Sequence, residues 1–121
     1  MRARAALVVW IVAAGCAAER LPEGRWTGEV TPANHPDRPS PIAYDIRYEG
    51  GALRIAIVGP DGGLLPAHDV RLAPDTLYFG FNEPEADVPL QCALAGAPAS
   101  GFDGRCADAA GKWARFTMTP P

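Results

Sequence analysis

The sequence predicts an all-β protein: a single small antiparallel up-and-down barrel of about eight strands, with a β-sandwich as the alternative. Three observations predict this class. Apolar and polar residues alternate with a period of two along most of the chain after Gly24, as they do in strands that bury one face. Turn-forming glycine, proline and aspartate separate these segments at short spacing. No segment repeats its apolar residues with a helical period over the length of a helix.

Each predicted strand directs alternate side chains into the barrel. The inward sets in chain order are Trp26, Gly28 and Val30; Ile42, Tyr44, Ile46 and Tyr48; Leu53, Ile55 and Ile57; Leu77, Phe79 and Phe81; Val88, Leu90, Cys92 and Leu94; Phe102, Gly104 and Cys106; and Ala114, Phe116 and Met118. A weaker segment, "LPAHDVRL", lies between the third and fourth of these sets, and its Pro66 confines the start to an edge or a bulge. His68 shares the inward parity of Val70 and Leu72, so we expect a hydrogen-bonded core histidine.

Large aromatic side chains dominate the inward positions. We expect them to fill a short barrel completely, and a pocket lined by them is the alternative. The set comprises Trp26, Tyr44, Tyr48, Phe79, Phe81, Phe102 and Phe116. With a filled interior, contacts to a partner fall to the loops. The candidates are the Pro-rich loop 31–41, with His35, Asp37 and Arg38, and the acidic turn 82–87.

Two cysteines flank one predicted hairpin symmetrically. Cys92 and Cys106 are equidistant from Ala99, in the turn "GAPASG". Facing positions in an antiparallel pair bring Cβ atoms to about 4.5–5.5 Å, which is near the separation that a disulfide requires. We therefore predict a Cys92–Cys106 disulfide, with two buried free thiols as the alternative.

The N-terminus carries two arginines, a short apolar run and a cysteine. Arg2 and Arg4 precede an apolar run that Glu19 ends, which is too short for the roughly 20 apolar residues of a transmembrane helix and typical of a signal peptide. "AAGC", ending at Cys16, resembles the lipobox of bacterial lipoproteins. The resemblance implies a signal peptide at 1–15, a tether at 16–24 beginning with an acylated Cys16, and a barrel domain at 25–119. Cleavage by the general signal peptidase, which would release a soluble exported protein, is the alternative.

This resemblance also implies a location. A lipidated Cys16 anchors the protein in a membrane of the cell envelope, because several acyl chains give stable binding. Alanine rather than aspartate after Cys16 resembles lipoproteins sent to the outer membrane, facing the periplasm or the cell surface. Acylation of Cys16 also accounts for the odd one of the three cysteines.

The charge balance disfavours a nucleic-acid partner. Loss of Arg2 and Arg4 with the leader leaves 14 acidic and nine basic side chains, a formal charge of −5. Such a chain has no basic stripe to neutralise phosphates.

"GRW", at 24–26, resembles the Gly-x-Trp start of the lipocalin and avidin superfamily. The resemblance implies that Trp26 plugs one end of the barrel and that an arginine of the last strand, here Arg115, packs over it. The bacterial metalloprotease inhibitors are similar in size and compartment. They are small barrels whose N-terminal segment enters the protease cleft.

We expect neither catalysis nor a metal or other cofactor. Ser40 and Ser100 lie in predicted loops without the context of a nucleophile, and oxidised cysteines supply no thiolate. His35 and His68 lack the spacing of metal ligands. The sequence thus favours a lipid-anchored envelope protein with a non-catalytic barrel that serves as a binding or accessory module for an envelope protein. A protease inhibitor and a binder of a small apolar ligand are the alternatives.

Overall fold

The computed structural model describes residues 19–121, which form nine β-strands. The strands are β1 (Gly24–Pro32), β2 (Ser40–Glu49), β3 (Ala52–Val58), β4 (Leu64–Pro66), β5 (His68–Leu72), β6 (Thr76–Glu83), β7 (Val88–Ala97), β8 (Gly101–Ala107) and β9 (Trp113–Met118). All strand pairs are antiparallel. The predicted all-β class is confirmed.

The strands form a nearly closed up-and-down barrel. Their order in the sheet is β4-β3-β2-β1-β9-β8-β7-β6-β5, so each strand pairs with its neighbour in sequence except at two places. The first and last long strands, β1 and β9, lie side by side, with Val30 opposite Phe116. At the other place β4 and β5 meet end to end.

The fourth predicted strand is two strands, so the expected number of eight becomes nine. β4 pairs with β3, whereas β5 pairs with β6. Between them, the Ala67 N–H donates to the Ile55 carbonyl at 2.8 Å. Pro66 has no N–H to continue a ladder, and the segment changes partner directly after it. β4 and β5 are the two edge strands of the sheet, and they follow each other directly in the chain. The segment that contains both therefore joins the two edges and brings the barrel close to closure.

The prediction of a core histidine at position 68 is wrong. The register of β5 on β6 shifts between His68 and Arg71, and Asp69 has a φ of 54°. A bulge of this kind adds one residue and reverses the side on which the preceding residue points. The His68 side chain is consequently about half exposed, and its Nδ1 lies 3.0 Å from the Asp69 carboxylate.

The predicted inward parity of the other strands is confirmed by burial. The core comprises Leu21, Trp26, Tyr44, Ile46, Ile55, Ile57, Leu77, Phe79, Phe81, Cys92, Leu94, Phe102, Cys106, Phe116 and Met118. The described part of the chain buries no charged side chain. This core runs along the barrel axis and holds the strands together by removing apolar surface from water.

A glycine lets β1 and β9 approach closely next to Tyr44. A Cβ at Gly28 would overlap the Thr117 carbonyl oxygen, so any side chain there forces the two strands apart. The Tyr44 hydroxyl donates to that same carbonyl at 3.0 Å. Burial raises the pKa of Tyr44, which keeps its hydroxyl protonated as a donor.

The two ends of the barrel differ. Strand direction places residues 19–23, the turns at 50–51, 73–75 and 98–100, and the C-terminus at one end. This closed end is filled by Trp26, whose ring stacks on Phe102 with centroids 6.1 Å apart. The opposite, open end carries the β1–β2 loop and the turns at 59–63, 84–87 and 108–112.

Part of the predicted tether belongs to the folded barrel. Leu21 is only 2% exposed, and its N–H donates to the Tyr48 hydroxyl at 3.0 Å. The Pro22 carbonyl accepts the Trp26 indole N–H at 2.8 Å, and the Arg20 guanidinium lies 3.9 Å from the centre of the Tyr48 ring. The chain is therefore fixed to the barrel from Arg20 onward, five residues before the predicted boundary at 25.

Candidate functional site

The candidate site is a cavity of about 380 Å³ at the open end of the barrel. Five strands, β1 and β6–β9, supply its walls, and the loops between them supply its rim. Its lining comprises Val30, Pro32, Asn34, Phe81, Glu83, Ala86, Val88, Leu90, Cys106, Asp108, Lys112, Trp113, Ala114 and Phe116. Most of these side chains are apolar, and the four polar ones belong to the loops and strand ends.

The floor of the cavity is aromatic. Phe81 and Phe116 meet edge to face, with ring centroids 5.9 Å apart. Both are 5% exposed, because their strands direct them inward. Each lies two residues deeper in the barrel than the next inward position of its strand, Glu83 on β6 and Ala114 on β9. An edge-to-face pair is a favoured aromatic arrangement, so these rings form a fixed apolar base.

Small side chains leave the space above that floor. Ala114 lies opposite Cys106 across β8 and β9, and Cys106 is bonded to Cys92 in β7. These inward positions carry an alanine and a compact disulfide where the closed end carries Trp26 and Phe102. The interior is therefore filled at one end and open at the other.

The expectation of a completely packed interior is thus wrong for the open end. Near the rim, three strands carry small inward residues: Val30 on β1, Cys106 on β8 and Ala114 on β9. These residues are visible in the sequence, but the space they leave depends on how far apart the strands stand at the mouth.

The two loops predicted as contact surfaces meet at this mouth. The β1–β2 loop contributes Asn34, and the β6–β7 turn contributes Ala86. His35, Asp37 and Arg38 are exposed and lie outside the lining set. Backbone hydrogen bonds shape their loop, since the His35 N–H donates to Pro32 and the Arg38 N–H donates to His35. The predicted loop residues therefore lie beside the cavity, whereas Pro32 and Asn34, which precede them in the chain, line it.

Backbone N–H groups hold two carboxylates at the rim. The Glu83 side chain accepts the N–H groups of Glu85 at 3.2 Å and Ala86 at 2.7 Å. Asp108 Oδ1 accepts those of Ala110 and Lys112, both at 2.9 Å. These bonds shape the turns and fix where the negative charges stand.

Trp113 lies at the edge of the cavity and keeps the outward orientation that the sequence pattern predicts. Along β9, Ala114 and Phe116 face inward, so Trp113 faces outward, on the same side as Arg105 of the neighbouring strand β8. The Arg105 guanidinium lies 4.2 Å from the centre of the half-buried Trp113 ring and covers one face of it.

Arg115 does not pack over Trp26. Phe116 and Met118 face inward, so alternation along β9 turns Arg115 outward. There its Nε donates to Asp103 at 2.8 Å. This bond and the nearby positive charge lower the pKa of the Asp103 carboxyl. Trp26 is covered instead by Phe102 and by the docked N-terminal segment.

The predicted disulfide is confirmed, and it reaches the site. Cys92 and Cys106 face each other in β7 and β8 and are bonded. Both are buried, and Cys106 contributes to the cavity wall. The oxidised sulfurs provide no thiolate nucleophile at the cavity.

Residues 19–121 offer few side chains for metal binding or for nucleophilic catalysis. Within this range, no three His, Cys, Asp or Glu side chains group in a way that would hold a metal ion. Ser40 and Ser100 are exposed, one at the start of β2 and the other in the β7–β8 turn. The cavity walls themselves are mainly apolar.

Two predictions concern residues outside the described range: the signal peptide at 1–15 and the lipidated Cys16. Within 19–121 there is no helix of the length and apolarity needed to cross a membrane.

Comparison with known proteins supports the fold alone. No family model matches the chain, and no curated protein matches it. Among solved structures, the chain is similar to a redesigned β-barrel, with a TM-score of 0.58 and 15% sequence identity. The match covers 82% of this chain and 90% of that one. The chain thus shares its architecture with a small β-barrel.

Proposed function

We propose that this protein is a lipid-anchored protein of the bacterial cell envelope whose barrel binds a small, mainly apolar ligand. The observation that carries the binding function is the open cavity at one end of the barrel. Its volume of about 380 Å³ falls within the roughly 300–1,000 Å³ range of small-molecule sites. Apolar walls with few polar groups at the mouth are typical of such sites.

The chemistry of the walls favours an apolar group at depth. Phe81, Phe116 and Leu90 offer carbon surface without a charged group beneath the rim. Each methylene that moves from water into such a site gains about 0.8 kcal/mol. A short hydrocarbon chain or a single ring system fits this volume and this surface.

The anchor and the cavity lie at opposite ends in this proposal. The docked segment beginning at Arg20 lies at the closed end, and Cys16 is four residues earlier in the chain. Four residues span at most about 14 Å. An acylated Cys16 would therefore hold the closed end close to the membrane, with the cavity mouth facing away from it.

The protease-inhibitor alternative has less support. The family that it resembles inserts a free N-terminal segment into the protease. Here Leu21 is buried and Trp26 is bonded to Pro22, so this part of the segment is occupied by the barrel itself. Inhibition would have to use another surface.

Filling the cavity is expected to abolish binding. N-phenyl-1-naphthylamine, a neutral apolar fluorophore, serves as the probe, with the full chain carrying Cys16→Ser to avoid detergent. Ala114→Phe places a ring in the cavity, and we expect it to weaken probe binding at least tenfold in a fluorescence titration. Ala93→Phe is the matched control, because Ala93 is exposed on the outer face of β7, and it should bind like the parent.

Circular dichroism of both variants checks that the barrel is intact. Equal binding of the probe by the parent and by a folded Ala114→Phe variant would contradict a site in the cavity. Absence of binding to the parent would contradict the binding function.

Removal of the acylated sulfur is expected to release the protein from the membrane. With Cys16 intact, the protein expressed in a bacterium that acylates lipoproteins should enter the detergent phase on phase separation. Cys16→Ser should move it to the aqueous phase, whereas Ala17→Ser, a change of similar size beside it, should not. A Cys16→Ser protein that stays in the detergent phase would remove the anchor from the proposal.

A further inference from the structure

We infer that the ligand of this cavity is a cationic amphiphile, with its apolar part on the aromatic floor and its positive group at the rim. This inference rests on the proposed binding function and assigns the charge of the ligand. It is carried by three features of the open end: the net charge of the turns, the absence of ion pairs among their carboxylates, and the way these carboxylates are held.

The open end is strongly acidic. Its four connections and the strand ends next to them carry six carboxylates and two cationic side chains, which leaves a formal charge of −4 with His35 neutral. The carboxylates are those of Asp37, Asp61, Glu83, Glu85, Asp87 and Asp108; the cations are Arg38 and Lys112. A mouth lined by one sign of charge over low-dielectric walls attracts ligands of the opposite sign.

These carboxylates have no cationic partner within residues 19–121. The ion pairs of the described chain use Asp45, Glu49, Asp69 and Asp103, which lie on the strands along the sides of the barrel or at the closed end. Outside the rim, four of the eight carboxylates of the described chain are paired, whereas none of the six at the rim is. The rim leaves its negative charge available to a ligand.

The turn geometry fixes part of this charge at the cavity. Glu83 and Asp108 line the cavity, and each accepts two backbone N–H groups of its own turn. A carboxylate held in this way keeps its position without the conformational freedom of a long side chain. The rim thus presents negative charge that is already in place when the ligand arrives.

The cavity lining itself carries one cation. The one cation of the lining, Lys112, is exposed and opposes a positive ligand.

Lys112 therefore provides a test of ligand charge. Its backbone N–H bonds Asp108, and that bond survives any substitution of the side chain. Lys112→Gln should increase the affinity for a cationic ligand about threefold to tenfold and decrease the affinity for an anionic one. Arg25→Gln is the control, because it removes one positive charge from the exposed surface near the closed end.

A complementary pair of changes reduces the negative charge of the rim. Asp37→Asn together with Glu85→Gln removes two carboxylates whose oxygens accept no hydrogen bond in the described chain, so the turns keep their bonds. We expect weaker binding of the cation by about threefold to tenfold. Glu19→Gln with Asp75→Asn, at the closed end, is the matched control, because neither carboxylate belongs to an ion pair of the described chain, and it should leave the affinity unchanged.

The experiment is calorimetric titration of the full chain carrying Cys16→Ser. The probes share one chain length: decyltrimethylammonium, decanoate and 1-decanol, each below its aggregation concentration. Decyltrimethylammonium should bind at least tenfold more tightly than decanoate, and its advantage should shrink as salt is raised.

Two results would overturn the inference and leave the binding function standing. One is tighter binding of decanoate, weakened by Lys112→Gln; the other is equal affinity for all three probes, including the neutral decanol. If none of the three binds and N-phenyl-1-naphthylamine does not bind either, both the inference and the proposed function fail.

Discussion

Replacement of Trp26 by alanine is expected to destabilise the barrel by about 3–5 kcal/mol, the usual cost of truncating a large buried aromatic residue. Trp26 is fully buried and fills the closed end against Phe102. Its indole N–H also holds the Pro22 carbonyl at 2.8 Å, so the change both opens a cavity and releases the segment that covers the end. Against a typical net stability of about 5–15 kcal/mol, this loss is large.

Urea unfolding followed by circular dichroism gives the measurement. Trp113→Ala is the matched control, because the same ring is removed from a half-buried position at the open mouth. That control should cost about 1 kcal/mol, in line with an ordinary substitution outside the core. Trp26→Phe keeps an aromatic ring and loses the hydrogen bond, so its cost should lie between the two. A Trp26→Ala protein within about 1 kcal/mol of the parent would contradict the assignment of this end as closed by packing.

The barrel was predictable because its information is local. Side chains in a strand alternate with a period of two, so the buried face of β6 follows from Leu77, Phe79 and Phe81 alone. Hairpin links between neighbouring segments then leave little choice of topology. The register of β7 on β8 followed from symmetry about Ala99, and Ala93 does pair with Arg105 as this symmetry requires.

The departures occur where one residue breaks a local rule. Asp69, with its φ of 54°, inserts a bulge that turns His68 outward, and no glycine at that position announces it. Ala67 marks a change of partner strand, which is a property of how the barrel closes. Both features depend on contacts between residues distant in sequence, and periodicity does not contain these contacts.

The cavity was the feature that the sequence pattern described least well. Parity assigned Phe81, Phe116 and Ala114 to the interior correctly, but the free volume is the difference between the space that the strands enclose and the volume of these side chains. The enclosed space depends on strand tilt and stagger. The sequence supplies only the second quantity, so a filled and a partly open interior were both compatible with it.

The disulfide is the second feature with a large expected effect. Cys92→Ala together with Cys106→Ala should lower the free energy of unfolding by about 2–5 kcal/mol, as for other small exported domains. In the chain-entropy model, a loop of about 15 residues accounts for about 3 kcal/mol of this, and the sequence separation here is 14. Loss of the two buried sulfurs from the core contributes in the same direction.

A second pair of substitutions separates the cross-link from the packing. Cys92→Val with Cys106→Val restores apolar volume at both positions but leaves β7 and β8 unlinked. If the cross-link dominates, both double variants should unfold at similarly reduced urea concentrations. If packing dominates, the valine pair should recover most of the stability, and the cross-link would lose its assigned role.

Thiol labelling tests the bond itself. Both sulfurs are buried, with Cys106 only 1% exposed, so the protein must be unfolded before labelling; without reductant, the unfolded protein should show no alkylation at either position by mass spectrometry. Labelling at both should appear after unfolding in reductant. Because Cys106 also lines the cavity, unlinking it should loosen the wall beside Ala114 and weaken binding of N-phenyl-1-naphthylamine together with stability. Alkylation of both cysteines after unfolding without reductant would contradict the bond, and with it the fixed wall on which the binding site depends.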